Sequence, residues 1–136
     1  MDKAKNTENG VSRDMRLLIV DDETGFAAVL CKRMRRRGVD AASASSGDEA
    51  VRLLRREEFD AAIVDLKLQG MSGIEILKVF RLMAPEMPVV MLTGHGSEEA
   101  RDECIKLGAA GYLSKPVDFD RLLAKALEVC AGRVRA

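Results

Sequence analysis

Apolar residues along this chain gather in short blocks that alternate with stretches of helical periodicity. Five blocks begin near Arg16, Val39, Ala61, Val89 and Gly111. Leu17-Leu18-Ile19-Val20, Ala61-Ala62-Ile63-Val64 and Val89-Val90-Met91-Leu92 show no polar alternation, as expected of parallel strands covered by helices on both faces. The second block, Val39-Asp40-Ala41-Ala42-Ser43-Ala44, is polar enough to be an edge strand. Leu122, Leu123, Ala126, Leu127 and Cys130 share the three-and-four spacing of one helix face, with Arg121, Lys125 and Glu128 opposite. Ser46-Gly47-Asp48-Glu49 and Ser72-Gly73-Ile74-Glu75 both read as capping boxes. Ser97 precedes a first turn holding Glu98 and Glu99, where the helix dipole favours acids. Pro85 stops the third helix, because the residue before a proline is steered away from the α region. Alternating β and α predicts an α/β three-layer sandwich with right-handed crossovers.

Composition narrows the class. The 136 residues, 47% apolar and 32% charged, suit one globular domain with its own core. Twenty-two basic residues balance 22 acidic ones, which gives no general reason to expect direct binding to nucleic acid or an anionic membrane. The cluster Lys32, Arg33, Arg35, Arg36 and Arg37 reads as the last turn of the first helix, complementing its dipole. Nothing approaches the ~20 apolar residues of a membrane span. Leu17–Val20 is too short for the core of a signal peptide. Cys31, Cys104 and Cys130 are odd in number and lack metal-ligand spacing, so they read as reduced, buried thiols of a cytoplasmic protein. Residues 1–14 are polar and read as a flexible N-terminal leader ahead of a domain over 15–134.

Candidate chemistry lies where the blocks end. Asp21 and Asp22 follow the first block and Asp65 follows the third. In a parallel sheet all three would meet at one carboxyl edge, where open α/β folds bind their ligands. Three converging acids repel one another, and a hard, oxygen-ligated dication such as Mg²⁺ relieves them while keeping room for a phosphate oxygen. Thr93, followed by Gly94 and Gly96, offers a hydroxyl and close backbone approach to a phosphoryl group, although a plain turn explains the glycines equally well. Lys115 offers a point charge to phosphate. Pro116 after it permits a cis bond, at under ~1 kcal/mol against ~3 for other residues. A solvated lysine before a helix-starting proline would look the same.

Taken together, Val20-Asp21-Asp22-Glu23, Val64-Asp65-Leu66, Gly70-Met71-Ser72-Gly73, Leu92-Thr93-Gly94 and Tyr112-Leu113-Ser114-Lys115-Pro116 resemble the receiver domains of two-component response regulators. The resemblance covers about Arg16 to Ala131 in family order. It implies a flavodoxin-like (βα)5 fold with a parallel sheet of order 2-1-3-4-5, for which the chemotaxis receiver is a standard example. It implies Asp65 as phosphoacceptor, forming an aspartyl-phosphate. Asp21, Asp22, Asp65 and the Lys67 backbone carbonyl become ligands of Mg²⁺, with Mn²⁺ as a substitute. Thr93 and Lys115 become phosphoryl ligands, Thr93 and Tyr112 switch residues, and Pro116 the turn with a cis bond from Lys115. Tyr112, the one tyrosine, otherwise reads as a half-buried edge aromatic. The implied donor is a phosphohistidine of a sensor histidine kinase or histidine phosphotransfer protein. The implied readout is a downstream protein target or a phosphorylation-dependent homodimer, contacted through helix 4, strand 5 and helix 5.

Three positions depart from or vary within that pattern. Gln69 stands where many relatives carry proline, and without a fixed φ it implies a looser loop. Lys67 and His95 occupy flanking places that tune phosphate lifetime. A Mg²⁺-dependent phosphatase with an Asp nucleophile is the rival enzyme, but it wants a second Asp where Lys67 stands. The expectation is therefore a switch rather than an enzyme, with chemistry confined to its own phosphorylation and dephosphorylation. The tail soon after the fifth helix favours a stand-alone regulator. A receiver cut from a longer regulator with a DNA-binding or enzymatic output is the alternative.

Overall fold

The computed structural model describes residues 15–94 and 96–131. The expected leader over 1–14, His95 and the tail from 132 onward lie outside the described residues. Five strands, β1 (Arg16–Val20), β2 (Asp40–Ala44), β3 (Ala61–Asp65), β4 (Val89–Thr93) and β5 (Gly111–Ser114), alternate with five helices. The helices are α1 (Thr24–Arg36), α2 (Gly47–Arg56), α3 (Gly73–Met83), α4 (Glu98–Lys106) and α5 (Phe119–Cys130). All strand pairs are parallel, in the order β2-β1-β3-β4-β5. The second strand begins at Asp40 and not Val39, and it is an edge as its polarity predicts.

Strand alternation splits the apolar blocks into two cores. Leu17, Ile19, Ile63, Val90, Leu92 and Leu113 pack with Leu30 and Met34 of α1 and Leu122 and Leu123 of α5. Leu18, Val20, Val64, Val89 and Met91 face the other way, against Ile76, Leu77 and Phe80 of α3 and Cys104 of α4. A strand with no polar positions is therefore the correct sequence for a sheet buried on both sides. Each such side chain contributes roughly 1.5–3 kcal/mol by leaving water. Cys31 and Cys104 are buried and Cys130 is partly so, all three as thiols outside any disulfide among the described residues.

The helix signals in the sequence hold with two exceptions. Ser72 forms a full capping box, its Oγ accepting from Glu75 N–H (3.2 Å) while its own N–H donates to Glu75 Oε1 (2.9 Å). Ser46 accepts from Glu49 N–H, but the Glu49 carboxylate accepts instead from Ser45 N–H (2.8 Å) and Ser45 Oγ (3.0 Å). The second predicted box is thus only half formed, because Ser45 takes the Glu49 carboxylate with both its N–H and its hydroxyl. Leu127 is the other exception: although in phase with the α5 apolar stripe, it is 50% exposed. α3 is held close to the β3 exit, since a Cβ on Gly73 would lie 2.6 Å from Leu66 Cα.

Candidate functional site

Register brings the acids together. Val20 pairs with Val64, so the residues that follow them, Asp21 and Asp65, leave adjacent strands side by side. Carboxylate oxygens of Asp21, Asp22 and Asp65 all lie within 4.8 Å of one another. Asp21 and Asp65 are buried and Asp22 is more open. Lys115 reaches them from the end of β5, beyond β4, because a lysine stem spans what a short side chain cannot. Its Nζ donates to Asp21 Oδ2 (3.2 Å), Asp65 Oδ2 (3.4 Å) and Glu23 Oε1 (3.1 Å). The Phe26 ring of α1 sits 4.7 Å from the same ammonium. Lys115–Pro116 is a cis peptide.

Backbone donors hold each acid. Asp21 Oδ1 accepts from Glu23 N–H (2.9 Å), Asp65 Oδ1 from Lys67 N–H (3.2 Å) and Asp22 Oδ2 from Gln69 N–H (3.3 Å). The last bond answers the departure at Gln69: a proline there would have no N–H to give. The loop gains an anchor on Asp22 in place of a fixed φ.

Electrostatics leave this edge short of positive charge. Burial raises the Asp65 pKa above the ordinary carboxylate value, and the Asp21 charge adds to it, against the lowering effects of Lys67 N–H and Lys115. Burial pulls on the Lys115 ammonium in the deprotonating direction, but Glu23, Asp21 and Asp65 outweigh it and its pKa is raised. A set of hard oxygen donors this close, one of them resisting ionisation, fits a bound dication.

Thr93 ends β4 fully buried, beside Ser114 in register. Tyr112 lies on the same face of the sheet as the α4 core. Its hydroxyl is buried with no hydrogen-bond partner among the described residues, and burial raises its pKa. A Cβ on Gly96 would overlap the Tyr112 hydroxyl and come 2.7 Å from Thr93 Cγ2. Glycine there leaves room for the Tyr112 ring tip beside Thr93. Beside this turn a groove of about 710 Å³ runs between α4, β5 and the start of α5, lined by Glu98, Arg101, Tyr112, Pro116 and Arg121 among others. Sequence reasoning assigned no part to Glu23 or Phe26. Their signal was position: Glu23 follows the acid pair directly and Phe26 comes one helical turn later.

Fold and edge together define an open, doubly wound α/β module with an acidic, cation-seeking rim. The response regulator receiver domain family model matches residues 17–127, and the chain belongs to that family. Transcriptional regulatory protein ZraR of Escherichia coli K12 is 37% identical over 108 residues, covering 79% of this chain and 24% of ZraR. The alginate biosynthesis regulator AlgB of Pseudomonas putida is 36% identical, covering 90% of this chain and 28% of AlgB. The chain thus spans about a quarter of the length of these curated relatives. A CheY-like receiver domain protein from Methanospirillum hungatei superposes with a TM-score of 0.85 at 31% identity, covering 88% of this chain and 96% of that one. A Burkholderia pseudomallei response regulator, solved with a phosphorylated aspartic acid, a calcium ion and citrate, superposes at 0.79 with 33% identity, covering 89% and 74%. Both the family resemblance and the strand order expected from the sequence are borne out.

Proposed function

We propose that this receiver domain takes a phosphoryl group onto Asp65 from the phosphohistidine of a sensor histidine kinase or histidine phosphotransfer protein. One observation carries the reading: a buried carboxylate, two further acids and one lysine converge at the carboxyl edge. An Asp65 carboxylate oxygen forms the new P–O bond as the P–N bond to the donor imidazole breaks, and the bonding pair returns to that nitrogen. Asp21, Asp22, Asp65 and the Lys67 carbonyl would hold Mg²⁺, or Mn²⁺ in its place, which when bound neutralises charge on the phosphoryl oxygens. Lys115 adds a second positive charge, and the Thr93 hydroxyl donates to a phosphoryl oxygen. Positioning and charge do the catalytic work in such in-line transfers.

Phosphorylation then biases a two-state equilibrium in which Thr93 moves toward the phosphoryl group and Tyr112 turns inward behind it. The α4–β5–α5 groove becomes the surface read by a downstream protein or a second copy of the chain. A cytoplasmic location goes with this role; among the described residues no helix is long and apolar enough to cross a membrane. Because ZraR and AlgB are transcriptional regulators about four times the matched length, we also propose that such a module acts within a longer regulator. The test is labelling by acetyl phosphate with Mg²⁺: the wild type acquires one phosphoryl group and Asp65→Asn none. Label persisting in Asp65→Asn, or rapid turnover of external monoesters, would refute the switch.

A further inference from the structure

We infer that Glu23 is a positioning residue that sets how readily Lys115 reaches a phosphoryl oxygen, by competing for the same ammonium. The inference rests on Asp65 being the phosphoacceptor. Three N–H bonds are all that an ammonium owns. Asp21, Glu23 and Asp65 take them at 3.2, 3.1 and 3.4 Å. An incoming phosphoryl oxygen must therefore displace one of the three.

The three do not cost the same to release. The Asp21 side chain is 2% exposed, and without Lys115 it would be left as a buried carboxylate short of a cation. Asp65, 8% exposed, is the nucleophile itself and must keep its charge aimed at phosphorus. The Glu23 side chain is 66% exposed, so water replaces its bond at once. Glu23 is the partner that lets go. Its carboxylate nevertheless stays beside the site, competing for Lys115 and repelling the arriving anion. The Phe26 ring, 4.7 Å from the ammonium, favours the charge on this outer side of the pocket and supports the same contact. Glu23 and Phe26 come from the β1–α1 turn and the first turn of α1, and neither belongs to the acid trio.

Affinity for beryllofluoride, a non-covalent phosphoryl analogue, measured with saturating Mg²⁺ reads the competition without turnover. Glu23→Gln is expected to bind it about two- to fivefold more tightly, the size of one solvent-exposed ion pair. Glu23→Asp, which keeps the charge but withdraws it from Lys115, should gain less. In a Lys115→Met background the Glu23→Gln gain should shrink. Weaker binding by Glu23→Gln, unchanged binding, or an equal gain without Lys115 would each overturn the inference. A wild type that neither binds beryllofluoride nor takes label from acetyl phosphate would instead overturn the phosphoacceptor reading on which it rests.

Discussion

At the amino edge of the sheet Arg16 faces Asp40 and Glu57; at the carboxyl edge Lys115 faces Asp21, Glu23 and Asp65. The two rims use the same kinds of residue and reach opposite results. Arg16 spends each arm of its fork once, on Asp40 Oδ2 (3.0 Å), Glu57 Oε1 (2.6 Å) and the Glu58 carbonyl (3.1 Å), while its plane lies over Phe59. Its backbone N–H donates to Asp60 Oδ2 (2.8 Å). The hydrogen bond to Glu57, more than any other contact, holds the guanidinium in its charged form. Lys115 must serve three carboxylates with one point charge, and Asp22 beside them has no cation among the hydrogen bonds of the described residues. The amino edge ties β1, β2 and the α2–β3 turn together. The carboxyl edge stores repulsion that a ligand can relieve. Such strain at a binding rim, offset by good packing elsewhere, is how a folded domain keeps a site ready.

Removing each cation separates the rims most sharply. Lys115→Met leaves Asp21 and Asp65 buried without a counter-charge and should cost about 3 kcal/mol in denaturant unfolding without Mg²⁺. Added Mg²⁺ should restore much of that loss. Arg16→Met should cost about 1–2 kcal/mol, the sum of two half-exposed pairs and one ring contact, and Mg²⁺ should restore none of it. Equal responses of the two variants to Mg²⁺ would erase the distinction.

Neutralising an acid gives a smaller effect of opposite sign. Folding raises the Asp65 pKa, so the proton is bound more tightly in the native state. Its contribution to stability is complete below the ordinary carboxylate pKa and is lost as pH rises through the folded value. Asp65→Asn should therefore stabilise the Mg²⁺-free protein at pH 7, by about 1 kcal/mol. The gain should vanish below about pH 4, where the wild-type group is protonated as well. A destabilised Asp65→Asn protein at pH 7 would mean that Lys115 outweighs burial at this rim.

Much of this was legible in the chain because it depends on short-range pattern. Unbroken apolar blocks gave the sheet, and the residue after each block gave the edge. What escaped depends on long-range partners. Arg16 meets Glu57 across 41 positions, and nothing local marks the pair. Glu23 looks like an ordinary helix-leading acid until Lys115 arrives from 92 positions away. Glu49 matched the spacing of a capping box, yet Ser45 took its carboxylate, a choice between neighbours that spacing alone does not decide. The looseness expected of Gln69 concerned φ, whereas the residue acts through an N–H that only the folded loop aims at Asp22.

Whether the carboxyl edge is a cation site is tested most directly by thermal unfolding across a Mg²⁺ titration, in the wild type and in Asp22→Asn. A ligand that binds only the native state raises its stability with the logarithm of concentration once above Kd. The wild-type midpoint should climb steadily with Mg²⁺, and that of Asp22→Asn should climb much less. A wild-type midpoint indifferent to Mg²⁺, or one that rises equally in Asp22→Asn, would contradict the account.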